Sequence, residues 1–329
     1  TTNHSSMNQK KRLRVKGRGA QSSARNRFEK QHYDPDHDMM DFSLEELEQG
    51  IKTNYLKVFP KSIVNKVPSM DIFMNWSMNP YQGCEHGCIY CYARNSHEFW
   101  GFSAGLDFER RILVKKQAPK LLENLLKKKT WKTNTIVMSG NTDCYQPAEQ
   151  QFRITRKCLE VFLKYRHPVG IITKNAFILR DLDILTELGS HQLVGVNISV
   201  TSLSEKTRRK MEPRTASIQK RLKTIRLLSA KGIPVNAMLA PMIPGINSHE
   251  MLKLAKAVAD EGALSFGFTV VRLNGAIGQI FADWIKKAMP DRAEKVLHLI
   301  QDCHSGTLND SRFGIRTRGE GKIATQIHE

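Results

Sequence analysis

From residue 72 onward, short apolar runs alternate with longer segments whose apolar residues recur at helical spacing. The apolar runs predict six buried strands, at residues 72–76, 135–138, 169–172, 193–200, 235–240 and 266–271. The amphipathic segments between them predict helices, near residues 91–97, 118–126, 154–165, 181–188, 218–228 and 251–259. Strands that alternate with helices favour an α/β fold with a parallel sheet and right-handed crossovers. Eight such units close a full TIM barrel, so six units predict an open, partial (β/α)6 barrel.

The two ends of the chain have a different pattern. Residues 1–30 are polar and basic, residues 34–48 are rich in Asp and Glu, and neither stretch has enough apolar residues to bury a core. We therefore predict that residues 1–50 are a flexible N-terminal segment, first basic and then acidic, and that residues 60–275 form the core domain. Residues 276–329 are predicted to be a C-terminal extension of two helices and a glycine-rich basic tail.

The chain has 329 residues and a formal net charge of +19. Its hydrophobic content of 40% and charged content of 25% are typical of a soluble globular protein. No apolar run approaches the ~18 residues of a membrane span, and the first residues lack a signal-peptide core, so we expect a cytoplasmic protein with no membrane partner. The positive charge favours DNA, RNA or a ribonucleoprotein as partner, bound through the basic N-terminal arm. A solvated cationic face is the alternative.

Three of the cysteines, Cys84, Cys88 and Cys91, lie close together with the spacing C-x3-C-x2-C. Thiolate is a soft ligand that suits iron–sulfur clusters, zinc or copper(I). A [4Fe–4S] cluster usually takes four cysteines, so three would leave one iron with an open position where a small molecule can bind. Gly87 allows the tight loop that brings the thiols together. The alternative is a structural zinc site that adds His86, in a nucleic-acid-binding module without catalysis.

The cysteine spacing, with Tyr90 as the aromatic residue before the last cysteine, resembles the C-x3-C-x-aromatic-C motif of radical S-adenosylmethionine (SAM) enzymes. Residues 79–88 are similar to the branch related to spore photoproduct lyase, often labelled DNA repair photolyase-like. The resemblance covers roughly residues 60–275 and implies the partial barrel of that superfamily. It also implies a [4Fe–4S] cluster on the three cysteines, with SAM chelated by the fourth iron and cleaved to a 5′-deoxyadenosyl radical. An electron donor such as flavodoxin or ferredoxin is a further implication.

Candidate SAM ligands follow the predicted strands, because ligands of a parallel barrel gather at the C-terminal ends of its strands. Ser139, Gly140 and Asn141 occupy the place of the superfamily motif that contacts the SAM amino group. Lys174 ends the next strand, where the resembled lyase branch also has a lysine, and its cation could pair with the SAM carboxylate. The alternatives are an ordinary capped strand-to-helix turn at residues 142–143 and a solvated lysine.

Four further residues near later strands are candidate cofactor contacts. Asn197 and Ser199 interrupt the fourth apolar strand, where buried polar atoms need partners. Ribose hydroxyls would satisfy them, as the resemblance implies, and hydrogen bonds within the core are the alternative. Arg214 could clamp a carboxylate with two parallel hydrogen bonds. Ile243 lies in a stretch, 241–247, that resembles the fifth-strand segment packing the adenine.

Two residues are candidates for the transfer of a hydrogen atom. In spore photoproduct lyase a cysteine near the end of the second strand returns a hydrogen atom to the product. The matching position here is Gly140, although Cys144 lies close by in the sequence. Tyr92 matches a tyrosine implicated in that relay. Reversal of a thymine dimer is therefore not supported, and Tyr92 with Cys144 is the predicted replacement. A nucleic acid or ribonucleoprotein is the favoured substrate, with a peptide or a small molecule as alternatives.

Overall fold

Six parallel strands lie side by side in one sheet, which confirms the predicted α/β partial barrel. The computed structural model describes residues 15, 17–28, 52–69, 71, 72 and 74–329. Its strands are β1 (Asn54–Lys57), β2 (Val64–Lys66), β3 (Trp76–Met78), β4 (Tyr81–Gln82), β5 (Arg111–Val114), β6 (Ile136–Met138), β7 (Val169–Thr173), β8 (Val194–Ser199), β9 (Val235–Met238) and β10 (Ser265–Gly267). The larger sheet has the order β10-β9-β8-β7-β6-β3-β2, in which only β2 is antiparallel to its neighbour.

The two outer strands of the barrel differ in their bounds from the prediction. The first was expected at residues 72–76, but β3 begins at Trp76. The Met74 amide donates to the Ile72 carbonyl at 2.8 Å, so the chain turns before it joins the sheet. The last strand was expected at 266–271, but β10 ends at Gly267, and Val270 then forms a single bridge to Met242. An apolar run therefore predicts burial more reliably than it predicts the residues that form the hydrogen-bonded strand.

Helices connect the barrel strands at the predicted places. The helices of the described chain are α1 (Leu106–Arg110), α2 (Ala118–Leu126), α3 (Ala148–Phe152), α4 (Ile154–Lys164), α5 (Leu182–Ser190), α6 (Glu205–Met211), α7 (Ile218–Ser229), α8 (Met251–Asp260), α9 (Ala276–Ala288), α10 (Ala293–Asp302) and α11 (Gly321–His328). The predicted helix near 91–97 is a 3₁₀ helix, Tyr92–Trp100. The two helices predicted after residue 276 are α9 and α10. The sequence pattern missed α11, because the glycine-rich stretch before it reads as a loop.

The outer face of the sheet packs against the helices, whereas the inner face stays partly open. In β7, Val169 and Ile171 are buried in the main apolar cluster. Gly170 and Ile172 point the other way and are only half-buried. Residues of β7 that face the helices are thus buried, and those that face the barrel interior are only half-buried. This is expected of an open barrel, whose interior leaves room for a ligand.

A second, smaller sheet has the order β1-β5-β4, with β5 parallel to β1 and antiparallel to β4. It lies beside the start of the barrel in the sequence, because only Asn79 and Pro80 separate β4 from β3. The sheet matters for function because the cysteine loop begins directly after β4. The chain therefore enters that loop from a paired strand instead of from a free coil. Within the described residues, no helix has the length and apolar character needed to span a bilayer.

The C-terminal tail is tied to the segment that precedes β3. Arg316 donates to the Asp71 carboxylate and, at 2.7 Å, to the Ser69 hydroxyl. Its neighbour Thr317 accepts a hydrogen bond from the Val270 amide at 2.9 Å, just after β10. The ion pair thus connects the two ends of the barrel sheet. It also lowers the pKa of Asp71 well below its usual range, because the guanidinium donates directly to the carboxylate.

We expect Arg316→Ala to loosen this tie between the sheet ends. Because hydrogen bonds to charged groups contribute about 1.5–3 kcal/mol each, the tail should open locally without loss of the main core. Hydrogen–deuterium exchange should become faster in residues 311–318. Arg318→Ala is the control, since Arg318 is exposed and forms no ion pair with a described residue. Equal exchange in the two variants would show that the ion pair does not hold the tail.

Candidate active site

The cysteine loop is anchored by backbone hydrogen bonds at both of its ends. The Cys84 amide donates to the Phe108 carbonyl at 2.8 Å, and the Ile89 amide donates to the Met211 carbonyl at 3.0 Å. Gly87 adopts a φ of 67°, and a Cβ there would lie 2.7 Å from Glu109 Oε2. Glycine is thus needed at this position both for the turn and for space. The segment that carries the three cysteines is therefore a tight loop, fixed by backbone hydrogen bonds to Phe108 and Met211.

The three thiols of this loop are unpaired and close to one another. None forms a disulfide, and Cys91 packs against both of the apolar clusters that contain Cys84 and Cys88. Burial raises the pKa of each thiol, and for Cys84 the two neighbouring thiols raise it further. Backbone N–H groups of His86 and Ala93 oppose this at Cys84 and Cys91 respectively. Buried thiolates therefore need a bound cation, and this donor set fits an iron–sulfur cluster.

His86 does not join the thiols, so the alternative of a zinc site is not supported. Its Nδ1 lies 3.3 Å from Asp143 Oδ2, and its Nε2 lies 3.3 Å from Asn175 Nδ2. Within the described ranges, no three His, Cys, Asp or Glu side chains converge as the ligands of a single ion. The ring instead connects the loop to the C-terminal ends of β6 and β7.

A buried ion pair contacts the backbone of the cysteine loop. Arg94 and Glu109 are fully buried, and Arg94 Nη2 lies 2.5 Å from Glu109 Oε1. The same guanidinium donates to the Cys88 carbonyl from Nε and Nη2, both at 3.0 Å. It also donates to the carbonyls of Ala104 and Gly105. Arg94 thus fixes the backbone at the second cysteine through several charge-assisted bonds.

The N-terminal residues 15 and 17–28 form a strap across this ion pair. The amides of Gly19 and Ala20 donate to the Glu109 carboxylate at 3.0 and 2.8 Å. Val15, Ala20 and Ala24 are buried in the apolar cluster that contains Cys88 and Tyr90. The prediction of a flexible arm is therefore wrong for the strap, because backbone donors and small side chains replace the missing apolar surface. The other residues predicted to be flexible, 1–14, 16 and 29–50, lie outside the described part of the chain.

The strand-end residues Ser139, Gly140 and Asn141 lie against the helix that follows the cysteines. Tyr92 donates to the Gly140 carbonyl at 2.5 Å. Asn141 Nδ2 donates to Ser96 Oγ at 3.0 Å. Ser139 adopts a φ of 71°, which is unusual for a residue with a side chain and marks a constrained turn. The alternative of a helix cap at residues 142–143 is wrong, because the next helix begins only at Ala148.

Lys174 provides an unpaired cation beside the thiols. Its backbone amide donates to Asp143 Oδ2 at 2.8 Å, which fixes the residue at the end of β7. Its ammonium group forms no hydrogen bond or ion pair with a described residue. Its positive charge acts to lower the pKa of Cys88 and Cys91, against the larger effect of burial, which raises both. Asp143 itself keeps a lowered pKa although burial acts to raise it, because the His86 imidazole and the amide donors favour the carboxylate. The positive charge of Lys174 would stabilise an anionic ligand that binds between this residue and the cysteine loop.

The structure also shows a buried acid that the sequence analysis did not single out, Glu212. It accepts hydrogen bonds from Tyr90 and, at 2.8 Å, from Thr201, and it pairs with Arg221 at 2.5 Å. Although burial acts to raise the pKa of Glu212, the Arg221 and Lys174 cations lower it to about 2. Tyr90, the aromatic residue of the motif, is thus held by a charged network. Only the fold brings residues so distant in sequence together.

Asn197 and Ser199 lie on the same face of β8, since they are two residues apart on one strand. No described residue supplies a hydrogen-bond partner to either side chain. The alternative of hydrogen bonds within the core is therefore not supported among these residues. Ser199 is itself buried, and the contact of both side chains with a ribose stays a prediction.

The role of Arg214 as a clamp for a cofactor carboxylate stays a prediction, and its guanidinium makes one long contact with an acid of the cysteine loop. Arg214 Nη2 lies 3.5 Å from Glu85 Oε1, and its amide donates to the His86 carbonyl at 3.2 Å. Ile243 is fully buried in the apolar cluster that contains Cys88 and Tyr90, so it lies near the cysteine loop, and its contact with an adenine stays a prediction.

The two candidates for hydrogen transfer lie in different surroundings. Tyr92 is half-exposed beside the strand-end residues, whereas Cys144 is fully buried in the main apolar cluster. The Cys144 amide donates to Ser139 Oγ at 2.8 Å, and its carbonyl accepts from Thr155. Burial raises the pKa of its thiol well above the usual value. The structure therefore gives Cys144 the surroundings of a core residue and supports only Tyr92 as a group that faces the site.

Comparison with known proteins identifies the class of enzyme. The family model described as the Radical SAM superfamily matches residues 78–258. An uncharacterized protein of Mycobacterium tuberculosis is 30% identical over 246 residues, which cover 74% of this chain and 72% of the relative. An uncharacterized protein of Methanocaldococcus jannaschii is 28% identical over 203 residues, covering 61% and 72%. The chain therefore belongs to the radical SAM superfamily.

The fold is similar to that of spore photoproduct lyase. A double mutant of that enzyme, solved with bound AdoMet and dinucleoside spore photoproduct, superposes with a TM-score of 0.54 at 15% identity, covering 72% of this chain and 66% of the lyase. A radical SAM Nα-GlyT isomerase of Pseudomonas phage M6 is 24% identical over 177 residues, covering 53% of this chain and 34% of the isomerase. The protein is thus a radical SAM enzyme with a lyase-like fold, and its family implies SAM and an iron–sulfur cluster as cofactors.

We expect Gly19→Ala to weaken retention of the iron–sulfur cluster. A Cβ at Gly19 would lie 1.8 Å from the Gly87 carbonyl oxygen, so the strap must lift away from the cysteine loop. The matched control is Gly17→Ala, where a Cβ meets no atom within 4 Å. Gly17 also has a positive φ, so the control carries only a backbone cost of about 1–2 kcal/mol.

The measurement is the iron content of anaerobically purified protein and the rate at which a chelator removes that iron. Gly19→Ala should hold less iron and lose it several-fold faster than Gly17→Ala. Equal iron content and equal loss rates in the two variants would show that the strap does not support the loop.

Proposed function

We propose that Cys84, Cys88 and Cys91 bind a [4Fe–4S] cluster with one open iron that receives SAM, and that the enzyme acts on a nucleic acid or ribonucleoprotein. The observation that carries the proposal is the meeting of three free thiols with an unpaired cation, Lys174, in one buried place. When bound, the reduced cluster supplies the electron that cleaves SAM to a 5′-deoxyadenosyl radical. The protein's own residues bind and orient the cofactor and exclude water.

Each polar group of SAM has a candidate partner on this chain. Lys174 is suited to the carboxylate, because its ammonium group forms no hydrogen bond or ion pair with a described residue, although it also interacts electrostatically with Glu212. The carbonyls of Ser139, Gly140 and Asn141 are suited to the ammonium. Asn197 and Ser199, whose side chains have no partner among the described residues, would satisfy the ribose hydroxyls. Ile243 is fully buried, so its contact with the adenine requires the side chains around it to move.

Exposed aromatic residues support a single-stranded nucleic acid as substrate. Phe28 and Phe99 stack with centroids 5.0 Å apart, and Arg27 lies over both rings. Trp100, next in the chain, is also exposed. Aromatic faces beside a cation are the surfaces on which unpaired bases stack. The net charge of +19 agrees with this choice. The comparison with a lyase solved with a dinucleoside ligand points the same way, and a peptide or small molecule remains the alternative substrate.

The proposal includes a protein that donates the electron and a compartment that keeps thiols reduced. A flavodoxin or ferredoxin would supply the electron, and six free cysteines suit the cytoplasm, where thiols stay reduced.

Anaerobic purification tests the cofactor part of this proposal. The protein should be brown and contain about four irons and four sulfides per chain. With dithionite and SAM it should release 5′-deoxyadenosine, and addition of SAM should perturb the EPR spectrum of the reduced cluster. Cys88→Ala should lose the cluster and the cleavage. A colourless protein loaded with zinc would favour the binding module without catalysis instead.

Lys174→Met should weaken SAM binding while the cluster remains. Removal of the cation leaves the SAM carboxylate without its partner, so the apparent dissociation constant should rise about tenfold or more, as a lost charge-assisted hydrogen bond predicts. The measurement is the SAM concentration that half-saturates the EPR change. Lys231→Met is the control, because this exposed lysine precedes β9 at the opposite end of the barrel. An unchanged half-saturation would remove Lys174 from the SAM site.

A further inference from the structure

Arg272 is a half-buried cation without a partner. It follows the last barrel strand, between Val271, whose amide donates to the Met242 carbonyl at 2.9 Å, and Leu273, whose amide donates to the Leu308 carbonyl at 2.9 Å. Both flanking residues are buried, so the backbone at Arg272 is held firmly. Its guanidinium forms no hydrogen bond or ion pair with any residue that the structure describes. An arginine that has lost part of its hydration without gaining a partner is costly unless a ligand supplies one.

Among the described residues, the one acid that acts on Arg272 is already engaged elsewhere. Burial lowers the pKa of Arg272, and the nearby Arg316 lowers it further. That acid is Asp71, whose carboxylate accepts hydrogen bonds from Arg316 and Ser69. Tyr92 also interacts electrostatically with Arg272, which brings the cation next to the residue that faces the site.

Arg272 therefore lies at the mouth of the partial barrel. Asn95 Nδ2 donates to the Asn274 carbonyl at 2.8 Å, which joins the chain after β10 to the helix that begins at Tyr92. The Tyr92 hydroxyl in turn reaches the end of β6 at Gly140. The Oδ1 atoms of Asn95 and Asn274 are buried and have no partner among the described residues. Unsatisfied polar atoms thus accompany the unpaired cation where the two ends of the sheet approach each other.

We propose that Arg272 binds a backbone phosphodiester of a single-stranded nucleic acid at the mouth of the barrel and so positions the substrate beside Tyr92. This inference rests on the proposed function and names the group through which the substrate is held. A phosphodiester stays ionised, and its two free oxygens match the parallel N–H groups of a guanidinium. A single strand fits better than a duplex, because a base must leave its stack to reach a buried site.

The test uses the full-length, anaerobically purified protein and fluorescein-labelled single-stranded oligonucleotides, one DNA and one RNA of the same sequence. Binding is followed by fluorescence anisotropy at several salt concentrations. Arg272→Gln should bind about tenfold more weakly, and the slope of log affinity against log salt should become shallower by about 0.7, the value for one lost phosphate contact on a single strand. Arg272→Lys should restore the slope, because it keeps the charge.

The matched control is Arg166→Gln, which removes one exposed arginine just before β7, at the opposite end of the barrel. It should leave affinity and slope unchanged. Circular dichroism of all variants shows whether they fold, and the recovery in Arg272→Lys separates lost charge from lost structure. A preference for the DNA or for the RNA strand identifies the source of the phosphodiester.

Two results would overturn the inference. One leaves the proposed nucleic-acid substrate intact, and the other overturns that substrate as well. If the wild-type protein binds the oligonucleotides but Arg272→Gln binds with the same affinity and slope, the inference alone fails. If the wild-type protein binds neither strand, the nucleic-acid substrate of the proposed function fails with it. The cofactor part of that function would still stand on its iron content and SAM cleavage.

Discussion

The cysteine loop depends on one buried ion pair, Arg94 with Glu109. Both side chains are removed from water, which is costly unless every polar atom finds a partner. Here Arg94 also donates to backbone carbonyls of the loop, and Glu109 also accepts the amides of Gly19 and Ala20. The pair therefore joins the loop, the small sheet and the strap in one hydrogen-bonded unit. Breaking such a pair by removing one partner costs about 3–5 kcal/mol, which makes it a demanding but effective anchor.

The loop lies between two sheets, and this position explains its rigidity. The small sheet supplies β4, from which the loop starts, and helix α1, directly before β5, supplies Phe108, whose carbonyl accepts the Cys84 amide. The barrel side supplies Met211, which accepts the Ile89 amide, and Glu212, which holds Tyr90. A cluster ligand must stay in place when the charge of its metal site changes. Anchors on both sides limit how far the thiols can move.

Four polar side chains on or just after the barrel strands are candidates for contact with a ligand. Lys174, Asn197, Ser199 and Arg272 have no hydrogen-bond or ion-pair partner for their side chains among the described residues. The buried carboxylate of Glu149, by contrast, accepts hydrogen bonds from Tyr81 and Arg180. Buried polar atoms without a partner also occur elsewhere in the described chain, for example at His97, Trp284 and Asn309. The lack of a partner therefore supports a ligand contact only where the residue also lies at the end of the barrel at which ligands gather.

The sequence by itself determined the fold class, the order of the six parallel strands with the main helices between them, and the three cysteines. These features are local: apolar periodicity reports burial, and the spacing of the thiols is contained in one short segment. It also located Lys174, Asn197 and Ser199, because strand ends are visible in the pattern. Only the tertiary structure showed that Arg214 pairs with Glu85, that Cys144 is a core residue and that residues 17–28 form a strap. Those facts depend on contacts between residues far apart in the chain, and such contacts leave no periodic trace in the sequence. The basic composition of the N-terminus predicted a free arm for the same reason, since the acceptor that orders it, Glu109, lies some ninety positions away.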